Sequence, residues 1–156
     1  MPFSDAAGCL KQLPVAPGRM QMISLPGGVR LLDDSWNASP ASVRTLIDAV
    51  HRIQVAYKIL VFADMKELSD QGVFWHQQVA DWLHHKIDAL LTYGDLAYET
   101  HKRYQGHSKH FASKSLLIDY LQKEMHHRPK RLIVLKGSRS MKLDAIKDAL
   151  SQVQEV

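Results

Sequence analysis

The stretch Val29-Arg30-Leu31-Leu32-Asp33-Asp34-Ser35-Trp36-Asn37-Ala38-Ser39-Pro40 decides the fold, because within it an apolar run of strand length gives way to the start of a helix. Ser39 is suited to the N-cap and Pro40 to the first helical position, and Val43, Leu46, Ile47, Val50 and Ile53 then recur as one apolar stripe. A stripe of that kind lies on a sheet. The polar residues in between fall at the carboxyl edge of that sheet. Buried strands end there and the next helix leaves its first amides unpaired, so polar side chains can meet a ligand without disturbing the core.

The same alternation runs along the chain. Strand-length apolar runs cover 20–25, 29–32, 58–62, 89–92 and 132–135. Helical stripes follow at Trp75, Val79, Trp82 and Leu83, at Leu116, Leu117, Tyr120 and Leu121, and at Leu143, Ile146, Leu150 and Val153, with a shorter helix expected over 96–104. Strand and helix in alternation predict an α/β domain of three layers, Rossmann-like, because right-handed crossovers cover both faces of a mostly parallel sheet. The first two runs are separated only by Pro26-Gly27-Gly28, which predicts a hairpin and hence one antiparallel strand at the sheet edge. Residues 1–17, with Pro14 and Pro17 and little periodicity, read as a hinge or the remnant of a preceding domain.

Bulk properties narrow the classes. At 156 residues and 46% hydrophobic residues the chain has the size and the apolar content of one domain. A single cysteine, Cys9, rules out an internal disulfide framework and suits a reducing compartment. No leader pattern opens the chain and no apolar run reaches the roughly 18 residues of a membrane span, so a cytoplasmic protein is expected, with no membrane partner. The net charge of +4 raises nucleic-acid binding, but the basic residues are scattered among 16 acidic ones. The densest basic stretch, His126-His127-Arg128-Pro129-Lys130-Arg131, reads as a solvated loop leading into a strand. The nine histidines include the adjacent pairs His84-His85 and His126-His127, whose side chains point apart, and no Cys/His spacing resembles a structural zinc site.

Two segments carry candidate chemistry. Asp33 and Asp34 follow a buried strand, and a carboxylate exposed there suits the paired hydroxyls of a ribose; equally, Asp33 or Ser35 could simply cap the turn. Lys136-Gly137-Ser138-Arg139 offers two cations and a hydroxyl around a glycine, which suits a phosphate or carboxylate, although the spacing is not that of a P-loop. Ser140 is expected to cap the last helix and Met141 to pack.

Taken in order, Gly18-Arg19-Met20-Gln21, Asp33-Asp34-Ser35-Trp36-Asn37-Ala38-Ser39-Pro40, Ala63-Asp64-Met65-Lys66-Glu67-Leu68 and Lys136-Gly137-Ser138-Arg139-Ser140-Met141-Lys142 resemble the C-terminal domain of the Mur ligases. The octapeptide points to the branch that adds D-alanyl-D-alanine to UDP-N-acetylmuramoyl-tripeptide. The resemblance runs from about Gly18 to the C-terminus and implies an ATP-dependent amide ligase of peptidoglycan precursor synthesis. It implies that Arg19 reaches the nucleotide phosphates, Asp34 the ribose and Asn37 the adenosine side, and that Asp64, Lys136, Ser138 and Arg139 line the cleft for the dipeptide. His76 matches a family histidine, but it sits beside Trp75 on a helix and packing explains it as well. ATP and magnesium are implied as well, held mainly by a central ATPase domain whose P-loop, magnesium ligands and modified lysine have no counterpart in this sequence. The chain therefore reads as the closing domain of a monomeric enzyme, with no catalytic or metal-binding residue of its own and no activity alone. A stand-alone module that binds nucleotide or D-alanyl peptide is the rival.

The sequence departs from the family pattern in four places. Trp36 stands for a tyrosine, Ser39 for an asparagine, and Ala63 and Ala80 for glycines. Tryptophan keeps the aromatic plane and loses the phenol hydroxyl, Ser39 can still cap, and Ala63 could narrow a close backbone approach.

Overall fold

The computed structural model describes residues 16–127 and 130–153, with the side chains of His126 and His127 left aside. The expected hinge over 1–17 therefore lies almost wholly outside the described residues. Among these residues six strands form one sheet in the order β1-β2-β6-β3-β4-β5. They are β1 (Gln21–Ser24), β2 (Arg30–Asp34), β3 (Tyr57–Ala63), β4 (Ala89–Tyr93), β5 (Ser108–Phe111) and β6 (Arg131–Lys136). β1 runs antiparallel to β2 across the Pro26–Gly28 turn, and every other pairing is parallel. Among the described residues five helices cover the sheet: α1 (Pro40–Arg52), α2 (Gly72–Trp82), α3 (Ala97–Arg103), α4 (Lys114–His127) and α5 (Asp144–Ser151).

The pleat divides the core in two. Leu31, Ile59, Val61, Leu91, Ile133 and Leu135 face Leu117 and Leu121 of α4 and Ile146 and Leu150 of α5. The alternate residues Leu32, Leu60, Phe62, Leu90 and Val134 face Val43, Leu46, Ile47 and Val50 of α1 and Val79 of α2. A strand buried on both faces must be apolar throughout, and this makes β2, β3, β4 and β6 readable as continuous runs. Ser39 caps α1 as expected: its hydroxyl accepts from the Ser42 amide at 3.3 Å while the Ser42 hydroxyl accepts from the Ser39 amide at 3.0 Å.

Three expectations need correction. β5, Ser-Lys-His-Phe, was not foreseen, because an edge strand half exposed to solvent needs no apolar run. Arg131 does not belong to a solvated loop. It opens β6, is 1% exposed, donates from Nη1 to Glu124 Oε2 at 2.6 Å and lies over the Tyr57 ring. Ser140 is not a helix cap either. A short turn, Arg139–Met141, follows β6, Lys142 then adopts the left-handed conformation with φ 50°, and α5 begins only at Asp144. Met141 packs against the core as expected.

Candidate functional site

β6 returns to lie between β2 and β3, so the loops after these strands stand side by side at the carboxyl edge of the sheet. This juxtaposition brings the sequence segments together. In the register Asp34 is the neighbour of Lys136 on one side, and Lys136 is the neighbour of Phe62 on the other.

Asp34 uses both oxygens. Oδ2 accepts from the Lys136 ammonium at 2.6 Å, and Oδ1 accepts from the Met20 amide at 3.1 Å. Met20 has φ 48°, an uncommon conformation for a side-chain-bearing residue, and Gly18 has φ 73°. The turn is fixed a second time by the Trp36 amide, which donates to the Gly18 carbonyl at 2.9 Å. A side chain on Gly18 would meet the Trp36 backbone at 3.2 Å, so the close approach and the left-handed φ both call for glycine. Arg19 is thus held at the mouth of the cleft. Asp33 points to the other face and forms the turn cap, accepting from the Ser35 amide at 3.1 Å and its hydroxyl at 2.5 Å. Its second oxygen lies 3.8 Å from the Lys147 ammonium.

Trp36 is exposed and separates two clefts. One, of about 600 Å³, is lined by Arg19, Asp34, Asn37, Ser39 and Lys136 among others. The other, of about 660 Å³, is lined by Asp33, Ser35, Arg139, Lys142 and Lys147 among others. The Arg139 guanidinium stacks 3.7 Å from the centre of the indole, and that of Arg19 lies 5.7 Å from it. Among the described residues neither arginine has a carboxylate partner, so both cations are available to an anion.

The loop after β3 is built inward. Asp64 is 1% exposed; its Oδ1 accepts from the Ala97 amide at 2.8 Å, capping the start of α3, and its Oδ2 accepts from Lys66 at 2.8 Å. The Ser138 amide donates to the Asp64 carbonyl at 3.0 Å, and the Ser138 hydroxyl accepts from the Lys66 amide at 2.8 Å. Strand ends β3 and β6 are therefore stitched together. Gly137 makes this possible, since a Cβ there would sit 2.8 Å from the Cβ of Ala63. The methyl group of Ala63 occupies room left by that glycine, and the cleft is not narrowed by it.

His76 is a packing residue. It is fully buried, its Nε2 accepts from the Met65 amide at 3.0 Å, and Nδ1 carries the proton toward the Gly72 carbonyl at 2.7 Å. Burial holds its pKa below the ordinary 6.5, with the Gly72 carbonyl opposing. A histidine depressed in the folded state is neutral there while the unfolded chain takes up the proton, so its contribution is complete above about pH 6.5 and is lost as pH falls below it. His110 is depressed in the same direction, by burial and by His101. His76→Gln is expected to flatten the fall in Tm between neutral and mildly acidic pH without abolishing it; thermal melts across that range check this.

Of the residues expected from sequence, Arg19, Asn37 and Arg139 are exposed and Asp34 is half-buried, while Asp64, Lys136 and Ser138 are buried frame. Trp36 was not foreseen as a site residue, and Lys66 only as a neighbour of Asp64 within the segment Ala63 to Leu68. The signal for Lys66 was its place beside Asp64 at a strand end, and for Trp36 an exposed aromatic between charged segments. Among the described residues no three metal-ligating side chains come together.

Comparison with known proteins bears on the family and the fold. A family model described as the Mur ligase, glutamate ligase domain matches residues 18–139. The UDP-N-acetylmuramoyl-tripeptide--D-alanyl-D-alanine ligase of Buchnera aphidicola is 31% identical over 142 residues, covering 90% of this chain and 31% of the relative. The Bacillus subtilis enzyme of that name is 33% identical over 150 residues, covering 91% of this chain and 32% of its own length. The chain thus spans about a third of the relatives it matches. A crystal structure of MurF from Acinetobacter baumannii shares the fold with TM-score 0.85 at 22% identity, over 97% of this chain and 34% of that one. MurF from Thermotoga maritima, solved in complex with ADP, does so with TM-score 0.76 at 22% identity, over 90% and 32% of the two chains.

Proposed function

The chain belongs to the Mur ligase family, as its glutamate ligase domain, and from that premise we propose that it is the positioning domain of an ATP-dependent ligase that joins D-alanyl-D-alanine to UDP-N-acetylmuramoyl-tripeptide. Residues 18–156 form that domain, and 1–17 lead in from a central ATPase domain. The proposal places the enzyme in the cytoplasm, where ATP is available, and takes it to act as a monomer.

In such a ligase ATP transfers its terminal phosphoryl group to the tripeptide carboxylate, giving an acyl phosphate and ADP. The amine of the dipeptide then displaces phosphate and forms the amide. This chain's share is orientation and charge. Arg19 meets the nucleotide phosphates, Asp34 the ribose and Asn37 the adenosine side. Arg139 meets the dipeptide, beside the frame made by Asp64 and Ser138. The donor set does not fit magnesium, because no cluster of metal ligands exists among the described residues.

The observation that carries this reading is the pair of cations, Arg19 and Arg139, which have no carboxylate partner among the described residues and are set about Trp36 at the carboxyl edge beside the held carboxylate of Asp34. Phosphate release tests it. The chain alone is expected to release none from ATP, whereas the same chain joined to the central domain releases it only when both tripeptide precursor and D-alanyl-D-alanine are supplied. Nucleotide binding without turnover in the joined protein would favour the stand-alone module.

A further inference from the structure

We propose that Lys136 is a positioning residue of the nucleotide end of the site, acting through Asp34 on the turn that carries Arg19. This rests on the nucleotide reading above. It separates Lys136 from the dipeptide cleft, to which its place in the Lys-Gly-Ser-Arg motif would assign it.

The Lys136 side chain is 3% exposed, and a buried ammonium is stable only with a partner. Among the described residues that partner is Asp34 Oδ2, at 2.6 Å, set directly alongside by the parallel register of β2 and β6. Asp34 is 14% exposed and reaches onward with its other oxygen to the Met20 amide at 3.1 Å. Met20 is the residue whose positive φ gives the Gly18–Met20 turn its shape, and Arg19 lies inside that turn. Neither Gly18 nor Met20 belongs to a strand, so two hydrogen bonds fasten the turn to β2 and the loop after it, one from the Trp36 amide and one to Asp34.

Lys136 fixes the Asp34 carboxylate in the orientation that receives the Met20 amide. A carboxylate without that cation turns toward water, and the turn keeps only the bond from Trp36. Lys136 touches no part of the loop after β3 that a hydrogen bond or ion pair would reveal among the described residues; Asp64, Lys66 and Ser138 are bonded to one another instead. The electrostatic reach of Lys136 is toward the nucleotide cleft, which it lines together with Arg19 and Asp34.

The test is a double-mutant cycle in the ligase that carries this domain, with KM measured separately for ATP and for D-alanyl-D-alanine. Lys136→Met is expected to raise the KM for ATP about tenfold and to leave the dipeptide KM within about twofold. In an Asp34→Asn background the same substitution is expected to change the ATP KM by less than about twofold, because its route is already cut. Full additivity, or a dipeptide KM that rises while the ATP KM holds, overturns the proposal. Should Lys136→Met not fold, Lys136→Gln, which keeps a neutral donor for Asp34 and removes the cation, goes through the same cycle: a smaller rise in the ATP KM that the Asp34→Asn background abolishes supports the proposal, and additivity or a rise in the dipeptide KM alone overturns it.

A second measurement separates this inference from the function it rests on. Amide NMR relaxation of the 156-residue chain needs no turnover. Greater motion at Arg19 and Met20 in the Lys136 variant supports the coupling even if no ligase activity is found, and unchanged relaxation there overturns it.

Discussion

Replacing Asp34 by alanine in a ligase that carries this domain is expected to raise the KM for ATP about ten- to a hundredfold, the loss of a charge-assisted hydrogen bond worth about 1.5–3 kcal/mol. The same change strands the buried Lys136 ammonium and removes the anchor of the Met20 amide. Removing one member of a buried ion pair costs about 3–5 kcal/mol, and the partial exposure of Asp34 puts this variant toward the lower end. Arg19→Ala separates the two effects. It removes an exposed cation with no carboxylate partner among the described residues, so it is expected to raise the ATP KM with little change in Tm. ATP kinetics measured beside thermal melts check both variants. If both kept the parental ATP kinetics and only melted earlier, Asp34 would be a clamp for the turn and nothing more.

Arg139→Lys is the second large effect. The guanidinium carbon lies over the Trp36 ring, 3.7 Å from its centre, and the guanidinium donors can form a fork around a carboxylate or an acyl phosphate. An ammonium reproduces neither the stacking nor the fork. The specificity constant for D-alanyl-D-alanine is expected to fall about tenfold or more, in line with the loss of about 1.4 kcal/mol or more of transition-state binding. Lys142→Ala makes the contrast: its exposed side chain follows the turn after β6 and precedes α5, and it is expected to change that constant little. Equal, small effects in both variants would leave this loop as a connection between β6 and α5, with the dipeptide held elsewhere.

The difference between these two residues shows what the sequence could disclose. That Lys136 and Arg139 lie at a strand end was legible, since an apolar run stops at Leu135 and charged residues follow around a glycine and a serine. That one turns inward and the other outward was not, because it depends on β6 inserting between β2 and β3, a pairing across a hundred residues of chain. Asp64 is similar. Its position in the motif was readable, but its task of capping α3 depends on where the β4–α3 loop returns, with Gly94 leaving the room for its carboxylate. The helices that lie on the sheet announced themselves through their stripes, and so did the four strands buried on both faces. β5 gave no such signal, because an edge strand gains its hydrogen bonds from β4 whatever the polarity of its side chains.

Trp36 is the residue on which the account turns. It stands between the two clefts, carries Arg139 on its ring, and donates its amide to the turn that presents Arg19. Photocrosslinking of an azidoadenine analogue of ATP to the ligase that carries this domain, with the labelled peptides mapped by mass spectrometry, tests directly whether nucleotide occupies the cleft beside it. The account expects label within residues 18–20 or 34–42 that excess ADP suppresses. Label confined to residues outside these segments, with 18–42 unmodified, would contradict it.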